Sequence, residues 1–208
     1  MSFTPSEKSS KIEQLAIAAH ARDLTTLAKL CSDDHPEVRA RAIRTLGGFG
    51  SEADPLIRTA VGDSDARVRA AAASAASHHK AVDILDLLSD ESPAVVECAC
   101  FAMGEREEVS TRTALEQIAK SHDDPLCRES AIAALGVIGA QESLTVILAA
   151  LKDKAYVRRR AVVALSAFDG PEVDEALRRC LTDKDHQVRQ LAEDLLEVDE
   201  PSPASIKP

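Results

Sequence analysis

Apolar residues recur at offsets of 0, 4 and 8 from six anchors, Val38, Val68, Val95, Cys127, Val157 and Val188. Four residues after each anchor stands Ala42, Ala72, Ala99, Ala131, Ala161 or Ala192, and eight after it Leu46, Ala76, Met103, Leu135, Leu165 or Leu196. These offsets share one face of a helix, so the pattern predicts six amphipathic helices of about 12 residues each. The anchors are 30, 27, 32, 30 and 31 residues apart. An acidic turn holding Asp33, Asp63, Asp90, Asp123, Asp153 or Asp183 precedes each anchor, and Arg39, Arg69, Arg128, Arg158 or Arg189 follows directly. The third copy has Val96 in place of the arginine. Self-similarity at about 30 residues marks a repeat architecture, in which stacked neighbours bury the apolar stripe that one hairpin alone leaves open.

Between these "B" helices the periodicity predicts a set of "A" helices near Asp23 to Cys31, Ala53 to Val61, Lys80 to Leu88, Val109 to Lys120, Gln141 to Leu151 and Pro171 to Leu181. A leading helix over Ser9 to His20 is expected to cap the stack. The B helices are expected to end near Gly47, Ser77, Gly104, Ile138, Phe168 and Val198. Pro36, Pro93 and Pro125 suit first helical positions, where a missing amide hydrogen costs nothing, and no period-2 strand pattern is found. Eleven residues after their anchors, Phe49, Ile138 and Phe168 form one apolar layer. Repeats 2 and 3 place His79 and Arg106 there, so the middle of the stack is expected to be less well filled and to open first. The domain organisation expected is a tail over residues 1–8, one helical domain over 9–198 and a second tail over 199–208, the tails being rich in Ser and Pro.

The motif of Asp, then Val-Arg five or six residues on, then Ala and Leu four and eight after the Val, resembles HEAT repeats. It is similar in particular to the short variety in bilin lyases, and Gly170 to Leu196 is the best single match. The resemblance covers roughly Asp23 to Val198. It implies an all-α, right-handed solenoid of about six helical hairpins whose B helices line the concave face. It also implies a ladder of charged hydrogen bonds along the stack, carried by Asp33 and Arg39, Asp63 and Arg69, Asp123 and Arg128, Asp153 and Arg158, and Asp183 and Arg189. An Asp at the positive end of a helix, bridged by the fork of an Arg, is a favourable arrangement.

Charge and composition remove several functions. With 35 acidic against 25 basic side chains, the net charge of −10 repels phosphate backbones. Aromatic residues are 2% of the chain and Trp is absent, so platforms for stacking bases are lacking. That argues against the HEAT-like DNA glycosylases, which hold an extruded base. HEAT-type deoxyhypusine hydroxylase uses His-Glu pairs to bind iron, whereas here His20, His35, His78, His79, His122 and His186 are followed by Ala, Pro, His, Lys, Asp and Gln. Cys98-x-Cys100 lacks the spacing of a zinc half-site. Cys31, Cys98, Cys100, Cys127 and Cys180 suit small helix-face residues in a reducing compartment. No run approaches a membrane span and the first residues lack the apolar core of a secretory signal. The expectation is a cytoplasmic, monomeric, non-enzymatic protein with no cofactor, no metal, no nucleic acid and no membrane partner.

The expected function is therefore a scaffold or adaptor that binds a partner protein, with a bilin lyase or lyase-type chaperone as the alternative. Outward B-helix positions lie one before and two, three and six after each anchor. They gather Phe101, Leu126, Ala133, Tyr156, Arg159, Arg160 and Val163 as the candidate partner-binding patch, Phe, Tyr and Arg being enriched at interface hot spots. Arg158, in the ladder position, is expected to be structural.

Overall fold

In the computed structural model, backbone is described for residues 5–199 and side chains for residues 10–196. Every regular element among the described residues is helical. Successive helices pack against one another as repeated helical hairpins. Contacts group the chain into two compact units, Met1–Arg106 and Glu107–Pro208, where the sequence suggests one continuous domain.

The first unit holds α1 (Pro5–His20), α2 (Leu24–Cys31), α3 (Pro36–Leu46), α4 (Asp54–Val61), α5 (Ala66–Ala76) and α6 (Pro93–Glu105). The second holds α7 (Arg112–Ser121), α8 (Pro125–Ile138), α9 (Leu144–Ala150), α10 (Ala155–Leu165), α11 (Pro171–Cys180) and α12 (His186–Asp199). Residues 5–8, assigned above to a tail, belong to α1. Residues 1–4 and 200–208 of the expected tails lie outside the described residues. In each unit the B helices pack side by side, α3 on α5 and α5 on α6, then α8 on α10 and α10 on α12. All six anchors are at most 4% exposed, because the 0, 4, 8 stripe is the face turned to the neighbouring helices. Small residues set the spacing: a Cβ on Gly136 of α8 would stand 2.7 Å from Ala164 Cβ and 2.9 Å from its Cα on α10.

One A helix is missing. Lys80 to Leu88, read above as helical, forms an irregular stretch and a 3₁₀ turn at Leu85–Ser89. The anchors on either side are 27 residues apart against 30 to 32 elsewhere, which leaves too little chain for a full hairpin. Asp83 Oδ1 accepts from Leu85 N at 3.0 Å and fixes the turn. Carbonyls at the end of α5 and in the irregular stretch accept from one side chain: Arg106 Nε donates to Ala76 O at 2.8 Å, and Nη2 to His79 O at 3.1 Å and Val82 O at 2.9 Å. Lys80 Nζ donates to Arg106 O at 3.0 Å. His79 Nδ1 lies 2.6 Å from Asp54 Oδ1, and Nε2 lies 3.2 Å from Leu46 O. Arg106 and His79 are each 4% exposed. The layer expected to be poorly filled is thus filled by a buried polar network, which meets the requirement that buried polar groups be paired.

Arginine forks join consecutive repeats. Arg39 Nε and Nη2 both donate to the Asp63 carboxylate at 2.8 Å while Nη1 donates to Asp33 O at 2.9 Å. Arg69 does the same with Asp90 and Asp63 O. In the second unit Arg128 bridges Asp153 to His122 O, and Arg158 bridges Asp183 to Asp153 O. Each arginine therefore clasps its own turn by a carbonyl and the next turn by its carboxylate. Asp33 takes Lys11 Nζ of the leading helix at 2.5 Å instead, Arg189 among the described residues reaches the carbonyl of its own turn, Asp183, and the Asp123 side chain is exposed. Val96 is buried and apolar, so the third repeat carries no fork.

The forks predict acid sensitivity. Hydrogen bonds from Arg39, Arg69, Arg128 and Arg158 hold the carboxyl groups of Asp63, Asp90, Asp153 and Asp183 below their ordinary value of 3.8. A group depressed in the folded state contributes stability above its unfolded value and loses it as pH falls through the folded one. Urea midpoints measured from pH 7 downward should hold until about pH 4 and then fall steeply. A midpoint unchanged at pH 2.5 would contradict the forks.

Candidate functional site

The second unit presents a groove of 240 Å³ lined by Glu129, Tyr156, Arg159, Arg160, Val163 and Leu191. Its residues come from three successive B helices, α8 giving Glu129, α10 the middle four and α12 Leu191. The helix period decides this. On α10 the anchor face, with Val157, Ala161 and Leu165, is fully buried. Positions 156, 159, 160 and 163 occupy the opposite face and point out of the packing. Tyr156, Val163 and Leu191 supply the apolar lining, with Val163 41% exposed.

Both arginines of the patch are engaged by neighbouring helices. Arg159 Nη1 donates to Gln187 Oε1, and its Nε lies 3.6 Å from Asp185 Oδ1. Asp185 is itself fixed at the start of α12, accepting from Gln187 N at 3.0 Å and Val188 N at 3.2 Å. Arg160 Nη2 donates to Glu129 Oε1 at 3.2 Å, with 43% of the side chain exposed. Arg159 Nε is buried and has no protein hydrogen-bond acceptor.

Of the seven candidate residues, Tyr156, Arg159, Arg160 and Val163 come together in this groove. Leu126 and Ala133 are on α8 but do not line it; Leu126 is 48% exposed. Phe101 is on α6 of the first unit and is 55% exposed, so its ring is not turned into the core. Sequence reasoning missed Glu129 and Leu191, although they hold the second and third places after their anchors, positions it had marked as outward. Arg158, by contrast, is 6% exposed and committed to Asp183 and Asp153.

Other side chains are spoken for by structure. His79 has both ring nitrogens engaged, and its neighbour His78 is exposed. Cys100, Cys127 and Cys180 are buried, and burial pushes the Cys31 thiol up to about 12, which leaves it protonated and unreactive. Among the described residues no group of three or more His, Cys, Asp or Glu is placed to hold a metal ion, and no helix is long and apolar enough to cross a membrane.

A family model described as HEAT repeats matches residues 24–85 and 113–197. The chain belongs to the HEAT-repeat family. Its two matched stretches leave out residues 86–112, which include α6. A search of curated proteins finds no relative. Among solved structures, this HEAT-repeat chain is similar to YibA of Escherichia coli, at 19% identity and a TM-score of 0.68, over 94% of this chain and 76% of that one. It is also similar to the complex of CpcE and CpcF of phycocyanin lyase from Nostoc sp. PCC7120, at 22% identity and 0.63, over 83% and 75%. A designed armadillo repeat protein in complex with the peptide (KR)4 matches at 19% and 0.52, over 90% and 86%. At these identities the likeness is one of fold.

Proposed function

We infer that this protein is a non-catalytic scaffold that binds a segment of a partner protein on its B-helix face, at the groove of the second unit. The observation that carries this reading is the groove itself. Three packed helices turn an apolar lining and two arginines outward, at positions the core does not need. Tyr and Arg at the centre of a partly desolvated patch are the residue types that dominate binding energy at interfaces. A rigid helical platform also orders little on binding, which lowers the entropic cost of recognition. The designed armadillo protein carries a peptide on a similar fold, and that supports the kind of ligand without identifying it.

The test is selection of a random 12-residue peptide library displayed on phage. The expected result is enrichment of a peptide family on the native protein that is lost on the Tyr156→Ala/Arg159→Glu variant at unchanged helicity. Enrichment that survives in the double variant would overturn the site. The phycocyanin lyase likeness suggests one further arm: mixing the protein with a bilin should leave the visible absorption band unshifted, and a shifted band would favour a pigment-handling role.

A further inference from the structure

The hydrogen-bond inventory of the groove is unbalanced, and the imbalance names the chemistry of the segment it takes. A guanidinium carries five N–H donors and no acceptor. One donor of Arg159 reaches Gln187 and one of Arg160 reaches Glu129. The Nε of Arg159 is buried with no protein acceptor, its nearest carboxylate oxygen being 3.6 Å away on Asp185. Asp185 cannot swing closer without giving up the two amide hydrogens it holds at the start of α12. Arg160, 43% exposed and held by a single bond, keeps most of its donors available. The groove thus presents more guanidinium donors than the Gln187 and Glu129 oxygens beside them take up.

We propose that the groove takes a peptide segment in which one aspartate or glutamate stands beside an aliphatic residue. This rests on the reading of the groove as the docking site. The carboxylate is received by the guanidinium groups of Arg159 and Arg160, as planar bidentate recognition favours. The aliphatic side chain packs between Tyr156, Val163 and Leu191. A long acidic run is excluded by the chain's own net charge of −10, which repels a strongly negative partner; the fit is to a single carboxylate in apolar company. Glu129 is the internal competitor for Arg160 and sets the affinity below its ceiling.

Peptides selected from the phage library are resynthesised with each carboxylate replaced by the matching amide, and affinities are measured by fluorescence anisotropy. The carboxylate peptide should bind about tenfold more tightly than its amide. Arg160→Glu should abolish that difference, and Glu129→Gln should tighten the carboxylate peptide by roughly threefold while leaving the amide unchanged. Selected peptides that are basic or uncharged, or amides that bind equally well, overturn the carboxylate inference but leave the groove standing if Tyr156→Ala still weakens them. Binding that ignores Tyr156→Ala and Arg160→Glu alike removes both the inference and the groove.

Discussion

Replacing Arg106 by Met lowers the stability of the first unit by about 3 kcal/mol or more, the largest single-residue loss expected in it. Methionine keeps the volume and removes every donor. The carbonyl of Val82 then loses the Arg106 donor and those of Ala76 and His79 lose one of two, the other being a backbone amide; a hydrogen bond to a charged group contributes about 1.5–3 kcal/mol and an unsatisfied buried group costs about 1–3 kcal/mol. Some of that loss is offset, because a buried charge no longer has to be desolvated. Arg106→Lys should rescue little, since an ammonium cannot reproduce the planar fork that spans 24 to 30 residues of chain. Urea denaturation followed by circular dichroism measures the loss, and hydrogen exchange locates it in residues 76–90. A variant as stable as the native protein would mean that the network is decoration on an otherwise sufficient apolar core.

Arg158→Ala should destabilise the second unit by about 3 kcal/mol, within the range seen when one partner of a buried pair is removed. The Arg158 side chain is 7% exposed and its partner Asp183 16%. The truncation leaves that carboxylate with the backbone amide of Asp185 in place of the guanidinium fork, and takes the Arg158 donor from Asp153 O. Arg128→Ala, in a wetter fork at 16% and 21% exposure, should cost less. Arg159→Glu, one position along the helix, should cost less than Arg158→Ala, because Arg159 and Asp185 are half-exposed at 34% and 22% and pairs near the surface contribute about 0–1 kcal/mol. Thermal melts of the three variants rank them, and equal losses for Arg158→Ala and Arg159→Glu would contradict the division between fork and groove.

Much of this was legible in the letters because helical periodicity is strict: the six anchors, the buried stripe and the outward face of α10 follow from offsets of 0, 4 and 8. The missing helix was legible in principle as well, in the 27-residue spacing, but apolar Val82, Ile84, Leu87 and Leu88 imitate a helical stripe whether or not the chain has room to wind. Polar residues at the eleventh position misled for a different reason. His79 and Arg106 look like defects in a layer of Phe and Ile until Asp54 and the carbonyls of Ala76, His79 and Val82 are placed around them, and those partners lie 24 to 30 residues away in sequence. Pairing across such distances has no local signature. The same limit applies to Arg159 and Arg160, whose outward direction is a matter of period but whose engagement with Gln187 and Glu129 depends on the neighbouring helices.

The proposed docking surface for a protein segment is the outward face of α8, α10 and α12. The most direct measurement is a methyl NMR titration of the labelled protein with a selected peptide. The methyl signals of Val163 and Leu191 should shift progressively with peptide, while those of Ile17 and Leu85 in the first unit stay in place. Movement of Ile17 or Leu85 with Val163 and Leu191 unmoved would contradict the account.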